Sequence, residues 1–255
     1  MRYFRYISSV AMILLFAGCA GGPRYTPSQP AYISATAVAA SQGNLYGTPQ
    51  TLTHVVGPQE TLFRISKVYG VDIQTLMQAN GIQDPNVLNK GQKLIIPGTF
   101  GARPVVTLLP SRKWKYIVIH HTATDVGNML SIDQMHHDRG FWNGLGYHFL
   151  IDNGSSGRAS GQIEAGPRWI KQMDGAHCKA GGMNEMGIGI GVVGDFSKNY
   201  MSQSQMDSLV YLVKTLQDFY GIPTSRVIGH RDAPGAKTEC PGDLFPWVEF
   251  KRRLS

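Results

Sequence analysis

Four side chains between positions 120 and 240 could do chemistry together: His120, Tyr147, and the pair His230 and Cys240, which nine residues separate. Imidazole and thiolate are donors suited to a borderline-soft divalent ion. A zinc ion that activates water needs only three protein ligands, leaving its fourth tetrahedral position to water or substrate. The four residues look like a catalytic zinc centre in one C-terminal α/β domain, with one Zn2+ per chain. That arrangement predicts a hydrolase.

Such a centre needs rigid elements beneath it. His120 ends the apolar run Tyr116 to Ile119, which fits a strand buried on both faces, and ligands in α/β proteins commonly gather at strand ends. His121 should turn to the opposite face, because side chains alternate along a strand. A helix carrying Ile132, Met135 and His136 is expected next, then a strand over Gly146 to Asp152 holding Tyr147, closed by the Asn153-Gly154 turn. Ile188 to Val193 alternates glycine with apolar residues, which suggests close approach by a ligand or another backbone. Ser204 is expected to cap a scaffold helix with Met206, Leu209, Val210, Val213 and Leu216 on one face, ended by Gly221-Ile222-Pro223. The remaining histidines His121, His136, His137 and His148 read as structural or surface residues.

The rest of the chain supplies addresses and partners. Arg2 and Arg5, the apolar stretch Val10 to Phe16 and then Ala17-Gly18-Cys19 resemble the signal and lipobox of bacterial lipoproteins, so Cys19 is expected to carry lipid. Ala20, not Asp, follows it, which implies the periplasmic face of the outer membrane. The formal charge of +7 falls to +5 without residues 1–18. That excess suits an anionic envelope polymer, whereas the scattered Lys and Arg argue against nucleic acid. Residues 20 to 51 are rich in Pro, Ser, Gly, Ala, Gln and Thr without a sustained apolar period, which predicts a flexible tether.

Between tether and zinc domain, residues 52–98 read as β-α-α-β. Thr53 to Val56 is a strand, Leu62, Ile65 and Tyr69 lie on a helix that Thr61 opens and Gly70 closes, Asp72 caps a second helix stopped at Asn80-Gly81, and Lys93 to Ile96 is the closing strand. His54-Val55-Val56, Glu60-Thr61-Leu62, Asn80-Gly81 and Leu88-Asn89-Lys90-Gly91-Gln92-Lys93-Leu94-Ile95-Ile96-Pro97 resemble a LysM domain. The resemblance implies binding of N-acetylglucosamine units in a groove between two loops, here Gly57 to Leu62 and Ile82 to Val87. Its candidate contacts are Gly57, Gln59, Glu60, Thr61, Leu62, Ile82, Asp84 and Asn86. Gln59 stands where the family usually has glycine.

Over residues 105 to 250, Val118-Ile119-His120-His121-Thr122-Ala123-Thr124, Gly146-Tyr147-His148-Phe149, Gly175-Ala176-His177, and Gly229-His230-Arg231-Asp232 with Cys240-Pro241-Gly242-Asp243 are similar to the zinc N-acetylmuramoyl-L-alanine amidases (amidase type 2), which include peptidoglycan recognition proteins. The resemblance makes His120, His230 and Cys240 the zinc ligands and Tyr147 the donor to the developing oxyanion. It makes His177 a substrate-groove residue. Some relatives carry a glutamate base where this chain has Gly191; the branch without it relies on a Lys or Thr near the last ligand, here Thr238 or Lys237. Asp232 could support a loop or orient His230. With Cys19 lipidated and Cys240 on zinc, Cys178 is left over, and a Cys178 to Cys240 disulfide is the rival pairing.

The expected architecture is therefore an α/β C-terminal domain, residues 113–255, with a mixed central β-sheet flanked by helices. It follows a signal peptide (1–18), a lipidated tether (19–51), a small βααβ LysM domain (52–98) and a linker (99–112). The expected partners are peptidoglycan and, through Cys19, a membrane; a monomer is expected, with any protein activator unidentified. The competing function is a non-catalytic peptidoglycan-binding outer-membrane lipoprotein.

Overall fold

The computed structural model describes residues 31–34, 49–99, 101–102, 105–111 and 113–255. Cys19, the signal segment and most of the tether lie outside the described residues. In chain order the elements are β1 (Ala31–Ser34), β2 (Gln50–Val55), α1 (Leu62–Tyr69), α2 (Ile73–Asn80), β3 (Lys93–Thr99), β4 (Val105–Leu108), β5 (Tyr116–His121), α3 (Met129–Asp138), β6 (Phe149–Asn153), β7 (Ser160–Ala165), α4 (Pro167–Ile170), α5 (Met183–Met186), β8 (Gly187–Val192), α6 (Gln203–Tyr220), β9 (Val227–Gly229) and α7 (Trp247–Leu254).

The small unit forms because its helix ends are locally specified. Thr61 accepts the Arg64 amide at the start of α1, and Asp72 accepts those of Gln74 and Thr75 at the start of α2. Gly70 and Gly81 end the two helices at φ 64° and 63°, the left-handed region where glycine has no Cβ penalty. β2 and β3 pair antiparallel beneath the helices, enclosing Leu62, Ile65, Leu76, Leu94 and Ile96. β3 runs beyond Ile96 to Thr99, because Pro97 and Gly98 fall where the register shifts, a bulge that tolerates the missing donor.

The large unit is a five-stranded mixed sheet in the order β7-β6-β8-β5-β9, parallel except for the β6–β7 pair. On one face Ile117, Ile119, Ile188, Ile190 and Val192 pack against Leu209, Val213 and Leu216 of α6. Each fully buried aliphatic side chain there contributes about 1.5–3 kcal/mol relative to exposure, so α6 is scaffold. Its cap is Ser202, not Ser204: the Ser202 hydroxyl accepts the Gln205 amide in a capping box, while Ser204 bonds Ser160 on β7. On the opposite face Val118 meets Cys178 and Met183, and Leu150 meets Met129 and Ile132 of α3. β6 begins at Phe149, later than the expected Gly146, because the Gly146 amide donates to His136 Nδ1 and its carbonyl accepts from Ala176.

The segment read as a linker holds β4, which belongs to both units. Val105 packs in the core of the small unit, whereas Val106 and Leu108 pack in that of the large one. Arg64 of α1 donates to the Val105 carbonyl, and Trp169 donates to that of Thr107. β1 pairs antiparallel with β4, so the tether also contains a strand. Arg158, in the β6–β7 turn, completes the junction: its buried guanidinium donates to the Val55 carbonyl at 2.6 Å and the Glu164 carboxylate at 2.8 Å, and lies 3.9 Å from Glu60.

Candidate active site

β5 and β9 are parallel neighbours, so their C-terminal ends bring His120 and His230 to one edge of the sheet. The two ring centroids are 4.6 Å apart. Cys240 arrives from the loop beyond β9, which is held by the Arg231 amide donating to the Cys240 carbonyl and the Cys240 amide donating to Thr238 Oγ1. Its Sγ lies 3.7 Å from His120 Nδ1 and accepts the His121 amide. One donor atom from each of His120, His230 and Cys240 falls within 4.8 Å of the others. Tetrahedral zinc with ordinary bond lengths separates its ligand atoms by about 3.5 Å, a spacing this trio reaches with small side-chain adjustments.

Burial favours that use. It pushes His120 well below the usual histidine range, with the His177 and His230 rings adding to the shift, and it lowers His230 too. Both imidazoles keep a lone pair for a cation. Burial pushes the Cys240 thiol up to about 12, so its thiolate requires a positive charge beside it, which a divalent ion here would supply.

Tyr147 closes one side. Its ring lies 5.2 Å from that of His120, and its hydroxyl donates to the His121 carbonyl at 3.3 Å. Burial, reinforced by Cys240, raises the phenol above its usual range and keeps it a donor. His136 packs 5.3 Å from the Tyr147 ring while its Nδ1 holds the Gly146 amide, a support that no spacing in the sequence announces. His121 turns to the far side of the sheet, against Phe196.

The glycine-interleaved strand β8 explains the room at the site. Its isoleucines and valine face α6, while Gly189 faces His177 and Gly191 faces Tyr147. A Cβ on Gly191 would stand 2.6 Å from the Tyr147 ring, and one on Gly189 would stand 2.4 Å from that of His177. The close approach comes from these side chains, and a glutamate at position 191 would displace Tyr147. His177 itself is buried and hydrogen-bonded through both ring nitrogens, 3.0 Å from His120 Nε2 and 3.1 Å from the Gly187 carbonyl. The substrate contact expected of it therefore has no free ring nitrogen. Thr238 and Lys237 are exposed on the ligand loop. Asp232 accepts the Gly229 amide just before His230 and so supports the loop. Cys178 and Cys240 are both free thiols, which removes the rival disulfide.

In the small unit the candidate contacts divide. Leu62 lies wholly in the core and Gly57 is buried. The Glu60 carboxylate accepts from the Gly57 amide and bonds His54, turning inward. Thr61, although exposed, caps α1. Gln59, Asp84 and Asn86 are exposed, Ile82 is half-buried, and Asp84 accepts the Asn86 amide in a tight turn. Gln59 sits at φ 61°, which accounts for the glycine usual at that position.

A parallel-strand edge carrying three donors that could hold a cation, joined to a βααβ unit, defines a two-part protein with an α/β domain. The chain belongs to the N-acetylmuramoyl-L-alanine amidase family, whose sequence pattern it matches over residues 110–243, and it carries a LysM domain over residues 54–97. Peptidoglycan-recognition protein 2 of Holotrichia diomphalia is 30% identical over 152 residues, covering 54% of this chain and 75% of that protein. The human N-acetylmuramoyl-L-alanine amidase is 26% identical across 59% of this chain but only 27% of its own length. Among solved structures, the endolysin amidase LysCS from Clostridium intestinale is 35% identical, covering 56% of this chain and 84% of that one, with a TM-score of 0.48.

Proposed function

We propose that the chain hydrolyses peptidoglycan at the amide between the lactyl group of N-acetylmuramic acid and L-alanine of the stem peptide. His120, His230 and Cys240 would hold Zn2+, and the LysM domain would bind the glycan. The observation that carries this reading is the convergence of the three donors beside the Tyr147 ring. Zinc held there would supply Lewis acidity toward the scissile carbonyl and would acidify water.

The chain's own residues do the rest. Tyr147, kept protonated by burial, exchanges its bond to the His121 carbonyl for one to the oxygen on which charge develops. No carboxylate stands at position 191, so relay of the water's proton falls to the ligand loop, through Thr238 or Lys237. Gln59, Asp84 and Asn86 offer the exposed polar groups for glycan among the LysM candidates. Lipidation at Cys19 would hold the protein at the periplasmic face of the outer membrane.

Mass spectrometry of sacculi and muropeptides digested by residues 20–255 with zinc tests the reaction. Stem peptides with a free L-alanine amine and uncut glycan chains are expected. Their absence from folded, zinc-loaded protein favours the non-catalytic wall-binding lipoprotein.

A further inference from the structure

The least expected contact at the site is the one between two histidines. Gly187 offers His177 a carbonyl oxygen, which only accepts, so the hydrogen in that 3.1 Å bond sits on His177 Nε2. In the neutral His177 ring, Nδ1 is then bare and can only accept. The 3.0 Å contact with His120 therefore takes its hydrogen from His120 Nε2, which leaves His120 Nδ1 without one. That nitrogen is the one facing Cys240 Sγ.

We propose that His177 is a positioning residue that fixes His120 in the Nε2-protonated tautomer and so aims its Nδ1 lone pair at the metal position. The proposal rests on the zinc reading above, with one backbone carbonyl setting both rings through a relay. Metal-bound histidines are commonly oriented by a partner on the second nitrogen, usually a carboxylate, a carbonyl or water. Here a second imidazole stands between the ligand and the carbonyl.

The surroundings are built to hold this ring. Asn184 Oδ1 accepts the amides of both His177 and Cys178, fixing the backbone. Gly175 and Gly189 flank the imidazole so closely that a Cβ on either would stand 2.2 Å or 2.4 Å from its Cδ2. The His148 ring lies 5.5 Å away on a third side. Rotation of His177 would therefore need displacement of backbone.

The test separates tautomer from catalysis. Ring nitrogen and carbon-bound proton correlations, recorded on the metal-free full chain with 15N-labelled histidine, should show His120 protonated at Nε2 and His177 protonated at Nε2. His177→Phe should mix the His120 tautomers and weaken zinc about 10- to 100-fold in competition with a chelator. His177→Gln, whose amide oxygen can accept the same hydrogen, should recover part of that loss. A wild-type His120 protonated at Nδ1 overturns the proposal, as does unchanged zinc affinity in a folded His177→Phe protein. Should that variant not fold, the wild-type spectrum alone decides. The expected spectra and affinities without amide hydrolysis would leave the proposal standing and overturn the amidase reading instead.

Discussion

The two folded units use polar residues in opposite ways. In the LysM domain Thr61, Asp72, Gly70 and Gly81 stop and start helices within a few residues of themselves. In the amidase domain His120, His148 and His177 are buried and engaged with groups far away in sequence. The first arrangement builds a small unit from local signals, on which the proposed glycan contacts would sit. The second keeps several imidazoles neutral by burial, the state a cation site requires. Binding and chemistry should therefore be separable by mutation, although the two units share a strand.

The strongest way to break that contrast is Cys240→Ser. Loss of a ligand should lower hydrolysis at least about 1,000-fold by removing the metal's contribution, with sacculus retention unchanged in a pull-down. A parallel loss of retention would mean that the units do not divide the work. Tyr147→Phe removes one oxyanion donor and should reduce kcat about 100- to 1,000-fold while zinc content stays at one per chain.

Acid should separate the units in the metal-free protein. His136 is pushed down by burial and by Arg139 from 6.5 to about 4, so its stabilising contribution is complete above 6.5 and disappears as pH falls through about 4. For Glu60 burial acts upward, but the hydrogen bond and charge of His54, then Arg158 and the Gly57 amide, hold it at about 2 against the usual 4.5. Its contribution is complete above 4.5 and disappears as pH falls through about 2. All 4 tryptophans lie in the amidase domain, so their fluorescence should report an acid transition at higher pH than LysM amide signals followed by NMR. Coincident transitions would show that the junction at Arg158 dominates.

Asp84→Ala combined with Asn86→Ala should weaken sacculus binding about tenfold, the value of two modest hydrogen bonds, and leave cleavage of soluble muropeptides intact. The smallest effect belongs to Gln59→Gly. Relief of the left-handed backbone, offset by glycine's added chain entropy, should stabilise the LysM domain by about 0.5–1 kcal/mol in thermal unfolding.

The same contrast explains what the sequence made legible. Caps, stops and the apolar run ending at His120 are local signals, and most stand where the periodicity puts them. The cap falls at Ser202, two residues before Ser204, because Ser202 has Gln205 three residues on, whose side chain reaches back to the Ser202 amide. The roles of His136 and His177 depend on partners brought together only by the fold, and histidine spacing carries no trace of either. β4 carries no one-sided local signal because its residues serve two cores at once, and β1 carries none because its four residues pair only with a strand more than seventy positions away.

That pairing has a mechanical consequence. β1 lies antiparallel along β4, Ala31 opposite Leu108 and Ser34 opposite Val105. A pull on the chain from its N-terminal side, directed along β1, loads these hydrogen bonds in shear, several together, rather than peeling them singly. Because β4 is fastened to both cores, the force divides between the two units. It enters the fold beside β7, at the opposite edge of the sheet from β9, the strand that leads into His230.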